Sequence, residues 1–335
     1  MADSAVSIRE RWHTLRALIT GIMGFAGSHL TDHLLEHGGA ESVFGVALPT
    51  DNRRNIRHIE SQITLYEMDL SDYDAVEDMI ASTAPDHIFH LAAQASVERA
   101  WKDPSGTLVN NINAELNILR AVVACDLAPK ILVVGSADEY GLVATKDLPA
   151  DEETPLRPLN PYAVSKIAQD YLGYQYFLSH GLYVVRVRPF NHTGPRQGLG
   201  FVVPDFCRQI VMIENGCQEP VMRVGNLSAQ RDFSDVRDVV RAYHLALSKG
   251  EPGQVYNVGS SRAYSMREVL NMLLSLSEVE IKVEQDPERM RPSDVPVLVC
   301  DTRHFARTTG WEIRYRLEET LRDTLAYWRD RLAGE

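Results

Sequence analysis

Through the first half of the chain, short apolar runs alternate with longer segments whose apolar positions suit a helix. ALIT (17–20), VFGVA (43–47), TLYEM (64–68), HIFHLA (87–92), ILVVG (131–135) and YVVRVRP (183–189) read as strands. Strands spaced in this way are joined by crossover helices and pair in parallel, so the pattern predicts an α/β fold with a doubly wound parallel sheet. Ligands of such sheets sit at the carboxyl ends of the strands. After residue 190 the pattern loosens. A helix near 204–216, another near 235–249, a strand VYNVG (255–259) and a last helix follow; in that helix Leu317, Leu321, Leu325, Trp328 and Leu332 recur at the spacing of a packed face.

Composition changes this picture only by exclusion. The 335 residues are 44% hydrophobic and 24% charged, as expected of a globular protein with a large core. A net charge of -12 disfavours nucleic acid and anionic membranes, yet leaves phosphate-bearing metabolites open to a local arginine cluster. Cys125, Cys207, Cys217 and Cys300 show no paired or zinc-type spacing, which fits reduced thiols and a cytoplasmic location. Residues 1–15 do not read as a signal peptide, and no run is long enough to span a membrane. The eleven histidines show no metal-ligand spacing, so no metal is expected.

The first chemical signal is ALITGIMGFAGSHLTDHLL, which sets Gly21, Gly24 and Gly27 between the first strand and a helix. The glycines allow a tight turn, close approach to a pyrophosphate and close helix packing, while the helix start supplies N–H donors. A Rossmann-type sheet binding NAD or NADP is the expectation. Asp51 comes late for an acid gripping the ribose, and Arg53 and Arg54 either meet a 2′-phosphate or are solvated. Asp69 and Leu70 are placed to contact the adenine, with helix capping as a compatible role for Asp69. The expected organisation is a tail (1–14), a dinucleotide-binding unit (15–190) and a smaller α/β substrate unit (191–335), with segments near 235–260 returning to the first.

In LNPYAVSKIAQDYLGYQYF, Asn160 can cap a helix beginning at Pro161, which puts Tyr162 and Lys166 on one face at i and i+4. A tyrosine needs about 4 kcal/mol of local electrostatics to bring its pKa from about 10 to near 7. Lys166 and a positive nicotinamide ring are the expected suppliers.

Taken in order, the glycine loop, HLAAQASV, Ser136, PYAVSK, RPFNHTGPRQ (188–197), GNLSAQRDFSDVRDVVRAY (225–243), VYNVGS (255–260), RPSDVP (291–296) and TGWEIR (309–314) resemble the extended short-chain dehydrogenase/reductases acting on nucleotide sugars. The likeness covers the chain from about residue 15 and leans toward the branch of GDP-mannose 4,6-dehydratases and GDP-4-keto-6-deoxy-D-mannose reductases. It implies a catalytic trio of Ser136, Tyr162 and Lys166, and cofactor contacts at Phe25, Ala26, Leu91, Ala92 and Ala93 besides the glycines. On the substrate side it implies Ser96, Asn191, Arg231, Arg291 and Asp294, together with Asn111, the family asparagine that helps set up the site. A diphosphate needs fork-shaped cationic donors, which suits Arg231 and Arg291. Arg237 reads instead as an ion-pair partner of nearby aspartates. The implied partners are a GDP-linked nucleotide sugar and a second copy of the chain in a homodimer.

GSADEYG (135–141) bears on the reaction. A 4,6-dehydratase must also move the C5 proton and expel water at C6, whereas a 4-keto reductase needs hydride and one proton. By the resemblance, Ala137 stands where many dehydratases carry Asp or Ser, and Asp138 where they carry Glu. Ala137 has no proton to give, and Asp138 is one methylene short, so reduction leads and Asp138 is kept as a candidate base. Glu139 is expected to point away, solvated or paired. His192 is read as a proton donor or a structural residue, and Trp101 and Phe201 as core residues or pocket walls. Dehydratase, 4-epimerase and a non-catalytic NAD(P) sensor are the alternatives; a sensor has no use for the intact trio.

Overall fold

The computed structural model describes residues 15–289 and 295–334. In chain order the elements are β1 (Leu15–Thr20), α1 (Phe25–Glu36), β2 (Ala40–Ala47), β3 (Ile63–Glu67), α2 (Tyr73–Thr83), β4 (His87–His90), α3 (Val97–Lys102), α4 (Pro104–Ala124) and β5 (Lys130–Val134). There follow α5 (Pro161–His180), β6 (Tyr183–Pro189), β7 (Asn191–Thr193), α6 (Val202–Glu214), β8 (Val221–Val224), β9 (Gln230–Asp235), α7 (Val236–Lys249) and β10 (Val255–Val258). The chain ends with β11 (Ala263–Ser265), α8 (Met266–Leu274), β12 (Lys282–Gln285), β13 (Val297–Leu298), α9 (Arg303–Thr309) and α10 (Leu317–Ala333).

Seven strands pair in parallel in the order β10-β6-β5-β4-β1-β2-β3. Both faces of this sheet are covered, which is why its strands read as continuous apolar runs rather than alternating ones. On one face Leu30 and Leu34 of α1 meet Val239 and Tyr243 of α7, all at 1% exposure or less. On the other, Val76, Ile80, Ile118 and Val122 of α2 and α4 pack with Ile88 and Ile131. Strand order reverses between β1 and β4, so the carboxyl ends of these two strands part and open a crevice.

The second half contributes β10 and α7 to this layer and builds the rest from two small sheets, one of β7, β9, β11 and β13 and one of β8 and β12. A separate core gathers Phe206, Ile210, Leu270, Leu321 and Trp328. The apolar face read in α10 is its anchor: Leu317, Leu321, Leu325 and Trp328 are at most 5% exposed, and Leu332 is partly buried. Trp101 and Phe201 depart from expectation. Both are exposed, at 48% and 38%, so neither is a core residue.

Candidate active site

The chain turns sharply where β1 ends. Gly21 has φ +69°, and a side chain at Gly27 would meet the Gly21 carbonyl oxygen at 2.2 Å, so both positions exclude larger residues. At Gly24 an added Cβ would meet only the Gly21 oxygen, which leaves the outer side of the bend open. No side chain caps α1, so its first N–H groups, at Phe25 and Ala26, are left to an incoming anion. Thr20 fastens the neighbouring strand: its Oγ1 accepts Leu91 N and Ala92 N at 3.1 Å each, which brings Leu91, Ala92 and Ala93 beside the glycine turn. An uncapped helix start beside a turn whose glycines carry no side chains is a fit for a dinucleotide phosphate. Leu70 is buried, whereas Asp69 is exposed and accepts Ser71 N at 2.8 Å; the cap of α2 is Asp72, which corrects the capping role read for Asp69. Arg53 is not solvated alone, because Glu60 and Glu67 hold its guanidinium at 2.5 and 2.7 Å.

Asn160 caps α5 through Ala163 N at 2.8 Å, with Pro161 in the first turn, as the sequence predicts. Tyr162 and Lys166 then share a face, with the Lys166 ammonium 6.0 Å from the phenol ring centre. Lys166 is 5% exposed and donates to the Val134 carbonyl at 2.9 Å. Burial lowers its pKa to about 8, against the opposing pull of Glu115 and Glu139. Tyr162 is partly buried and bonded by the Ser136 side chain. Its pKa is raised above the ordinary value by burial first and then by the charge of Asp138. Both influences favour the protonated phenol.

GSADEYG does not continue the strand. After Val134 it turns into a single 3-10 turn, Ala137–Glu139, closed by a capping box: Ser136 N donates to Glu139 Oε1 at 2.7 Å and Asp138 N to Ser136 Oγ at 3.1 Å. The two acids part company here. Asp138 stays half-buried on the Tyr162 side, 3.4 Å from the Asn160 amide. Glu139 turns inward to 0% exposure, its second oxygen 3.2 Å from Arg188 Nε, so it is paired and nowhere solvated.

The other predicted residues scatter more. Asn111 is fully buried, its amide donating to Gln94 O and Ser165 Oγ and accepting Gln94 N, so it shapes the site and cannot touch a substrate. Ser96 caps α3 through Arg99 N. Asn191 is exposed on β7, beside β9, where Arg231 reaches the Val295 carbonyl at 2.5 Å. Arg291 and Asp294 lie outside the described residues. Arg237 pairs with Asp235 and Asp323. His192 stacks on Phe25, ring centres 5.8 Å apart, and bonds the Phe190 carbonyl, and burial lowers its pKa.

A glycine turn, a Tyr-Lys helix and a serine turn at the switch point of one sheet describe a nicotinamide-dependent site, and the sequence model of GDP-mannose 4,6 dehydratase matches residues 18–324. The chain belongs to that family. Its members are extended short-chain dehydrogenase/reductases, NAD(P)-dependent enzymes of nucleotide-sugar chemistry. A GDP-6-deoxy-D-mannose reductase of Pseudomonas aeruginosa is 36% identical over 96% of this chain and all of its own length. GDP-mannose 4,6 dehydratase 1 of Arabidopsis thaliana is 30% identical over 91% of this chain and 87% of its own. The structure of RMD from Pseudomonas aeruginosa complexed with NADPH aligns over 94% of this chain and 99% of its own, with a TM-score of 0.82 and 34% identity.

Behind this family site lies a group of residues that motif reading missed. Asp170 holds Arg186 at 2.5 Å and Arg188 at 2.6 Å, with Glu139 on the far side of Arg188. The signal was present in YVVRVRP: two arginines in a strand buried on both faces require buried acidic partners.

Proposed function

We propose that this enzyme reduces the 4-keto group of GDP-4-keto-6-deoxy-D-mannose with NADPH or NADH. The observation that carries the reading is the fate of the acids after β5. A dehydratase needs a second proton-moving group beside the tyrosine; Glu139 is bound to Ser136 N and Arg188, away from the crevice, and the acid left beside Tyr162 is Asp138, one methylene shorter than the glutamate of dehydratases. Ala137 offers no proton. A reductase needs only an acid, and Tyr162 is held in its acid form.

A bound nicotinamide supplies the hydride. Tyr162 then gives its phenolic proton to the oxygen developing charge at C4, and Ser136 steadies that oxygen. Lys166 stands beside the phenol to balance the phenolate that remains. The diphosphate of the sugar nucleotide is assigned to Arg231 with Arg291, and Asn191 to the sugar side. Asp138, facing Tyr162, favours one second reading, in which it serves as the base of a dehydratase.

Purified protein decides between them. With GDP-4-keto-6-deoxy-D-mannose it should consume NADPH and yield a 6-deoxy sugar nucleotide; with GDP-mannose alone it should form no 4-keto product, and forming one would establish the dehydratase instead. A homodimer is also proposed. Val109 and Val123 of α4 and Val164, Tyr171, Tyr174 and Leu178 of α5 are exposed along two adjacent helices, a face that a second copy would cover. Light scattering should report twice the chain mass.

A further inference from the structure

We propose that Glu139 is a positioning residue of the reaction: from the buried side of the turn after β5 it holds the Ser136 backbone, which keeps the serine hydroxyl beside Tyr162. The inference rests on the reading of Ser136 as the group that steadies the C4 oxygen.

Ser136 stands where the sheet stops holding the chain. The pairing of β5 with β6 ends at Val134 and Val187, and Gly135 N still reaches the neighbouring strand at Val187 O, 2.8 Å away. Beyond that point a backbone N–H at the edge of the core must find another acceptor. The Ser136 N–H finds Glu139 Oε1 at 2.7 Å. In return Ser136 Oγ accepts Asp138 N at 3.1 Å and Ser136 O accepts Glu139 N at 3.1 Å, so the serine is fixed by its side chain and by both of its backbone groups. A lone pair of Oγ goes to Asp138 N, which leaves the hydroxyl hydrogen for a partner on the crevice side, where Ser136 bonds Tyr162.

Two further features serve the bond between Glu139 and Ser136. Gly135 is the first. A side chain there would meet Glu139 Oε1 at 2.3 Å, so a glycine at a strand end, where it forgoes packing, makes the room that the carboxyl needs. Arg188 is the second. Its Nε lies 3.2 Å from the other carboxyl oxygen, and it is itself gripped by Asp170 at 2.6 Å and bonded to Tyr140 OH at 3.1 Å. A turn of three residues has little helix for a cap to stabilise, and the bond costs the burial of a carboxyl group. What it delivers is a serine held in place. Burial and then the charge of Asp170 raise the Glu139 pKa, against the pull of Arg188. Either form of the carboxyl accepts through Oε1, so the role does not turn on its charge.

Variants of the full-length protein test this on GDP-4-keto-6-deoxy-D-mannose, or on GDP-mannose should that be the sugar turned over. Glu139→Leu should lower kcat at least about tenfold, the scale on which a small misplacement of a reacting group acts, with NADPH affinity within about twofold. In a Ser136→Ala background the same substitution should cost less than about twofold, because its action runs through the serine. Glu139→Gln, which keeps an acceptor for Ser136 N, should stay within about threefold of the parent rate. Gly135→Ala, which pushes the carboxyl aside without removing it, should repeat the loss and serves if the leucine variant does not fold. NMR adds a readout free of substrate: the Ser136 amide should exchange with solvent at least about tenfold faster in Glu139→Leu. Equal losses in both backgrounds, a glutamine variant as slow as leucine, or a Ser136 amide that stays protected would each overturn the proposal. If Ser136→Ala alone keeps the parent rate, the catalytic reading of the serine falls and takes the proposal with it; if Ser136→Ala is slow and Glu139→Leu is not, the proposal falls alone.

Discussion

Two regions only a few side chains apart handle charge in opposite ways. At the crevice mouth, Tyr162, Ser136 and Asp138 are partly exposed, and Asp138 N donates to Ser136 Oγ at 3.1 Å. In the chamber behind, Lys166, Asp170, Arg186, Arg188, Glu139 and Glu115 are all at most 7% exposed. The mouth holds groups that must change protonation during turnover. In the chamber, Asp170, Glu139, Arg186 and Arg188 pair with one another. Buried pairs of this kind contribute little net stability but are costly to break singly, which makes the chamber a rigid reference for the mobile proton.

The comparison predicts that damage to the mouth is catalytic and that damage to the Asp170, Arg186 and Arg188 cluster of the chamber is structural. Tyr162→Phe should lower kcat by about 10²–10⁴-fold, the usual contribution of a general acid, with cofactor affinity and thermal midpoint near those of the parent. Loss of stability in that variant would erase the distinction. Asp170→Asn should cost about 3–5 kcal/mol, because Arg186 loses its ion-pair partner and Arg188 keeps only Glu139. Urea unfolding reads that number directly, and a loss below about 1 kcal/mol would show that the chamber tolerates unpaired charge.

A third device avoids charge by remaining neutral. His29 in α1 contacts the Pro195 carbonyl at 2.9 Å, and burial, followed by the charge of Arg196, lowers its pKa from 6.5 to about 4. Between those values the unfolded chain binds a proton that the folded protein refuses. Stability is therefore full above pH 6.5 and falls as pH drops toward 4, by on the order of 3 kcal/mol from this group. His29→Gln should flatten that slope in urea midpoints measured from pH 7 to 4.5, and an unchanged slope would assign it to other groups.

The same contrast explains what the sequence reveals. The sheet was legible because each strand is a continuous apolar run, and the seam of α10 because one face repeats. Gly21, Gly24, Tyr162 and Lys166 were legible because their spacing has a geometric reason in a turn or a helix. The pairing of Glu139 was one of its two expected fates, but its burial was not legible, because strand alternation was carried past Val134, where the chain instead curls into a capped turn. Asp170 went unread since its partners Arg186 and Arg188 lie on β6, and spacing along one helix says nothing of the strand packed against it.

Asp138 tests the boundary between the two regions with the smallest expected effect. Its charge faces Tyr162 and helps hold the phenol in its acid form. Asp138→Asn keeps the shape and the hydrogen-bond reach to Asn160 but removes the charge. The phenol pKa should then fall, so the alkaline limb of the reduction profile moves to lower pH while the maximal rate changes less than about tenfold. A reductase tolerates this because its one proton still comes from Tyr162. A dehydratase using Asp138 as its base would lose about 10²-fold or more at every pH. The split between a shifted profile and a uniform loss, read from kcat against pH on the 4-keto substrate and on GDP-mannose, separates a residue that tunes the acid from one that moves a proton itself.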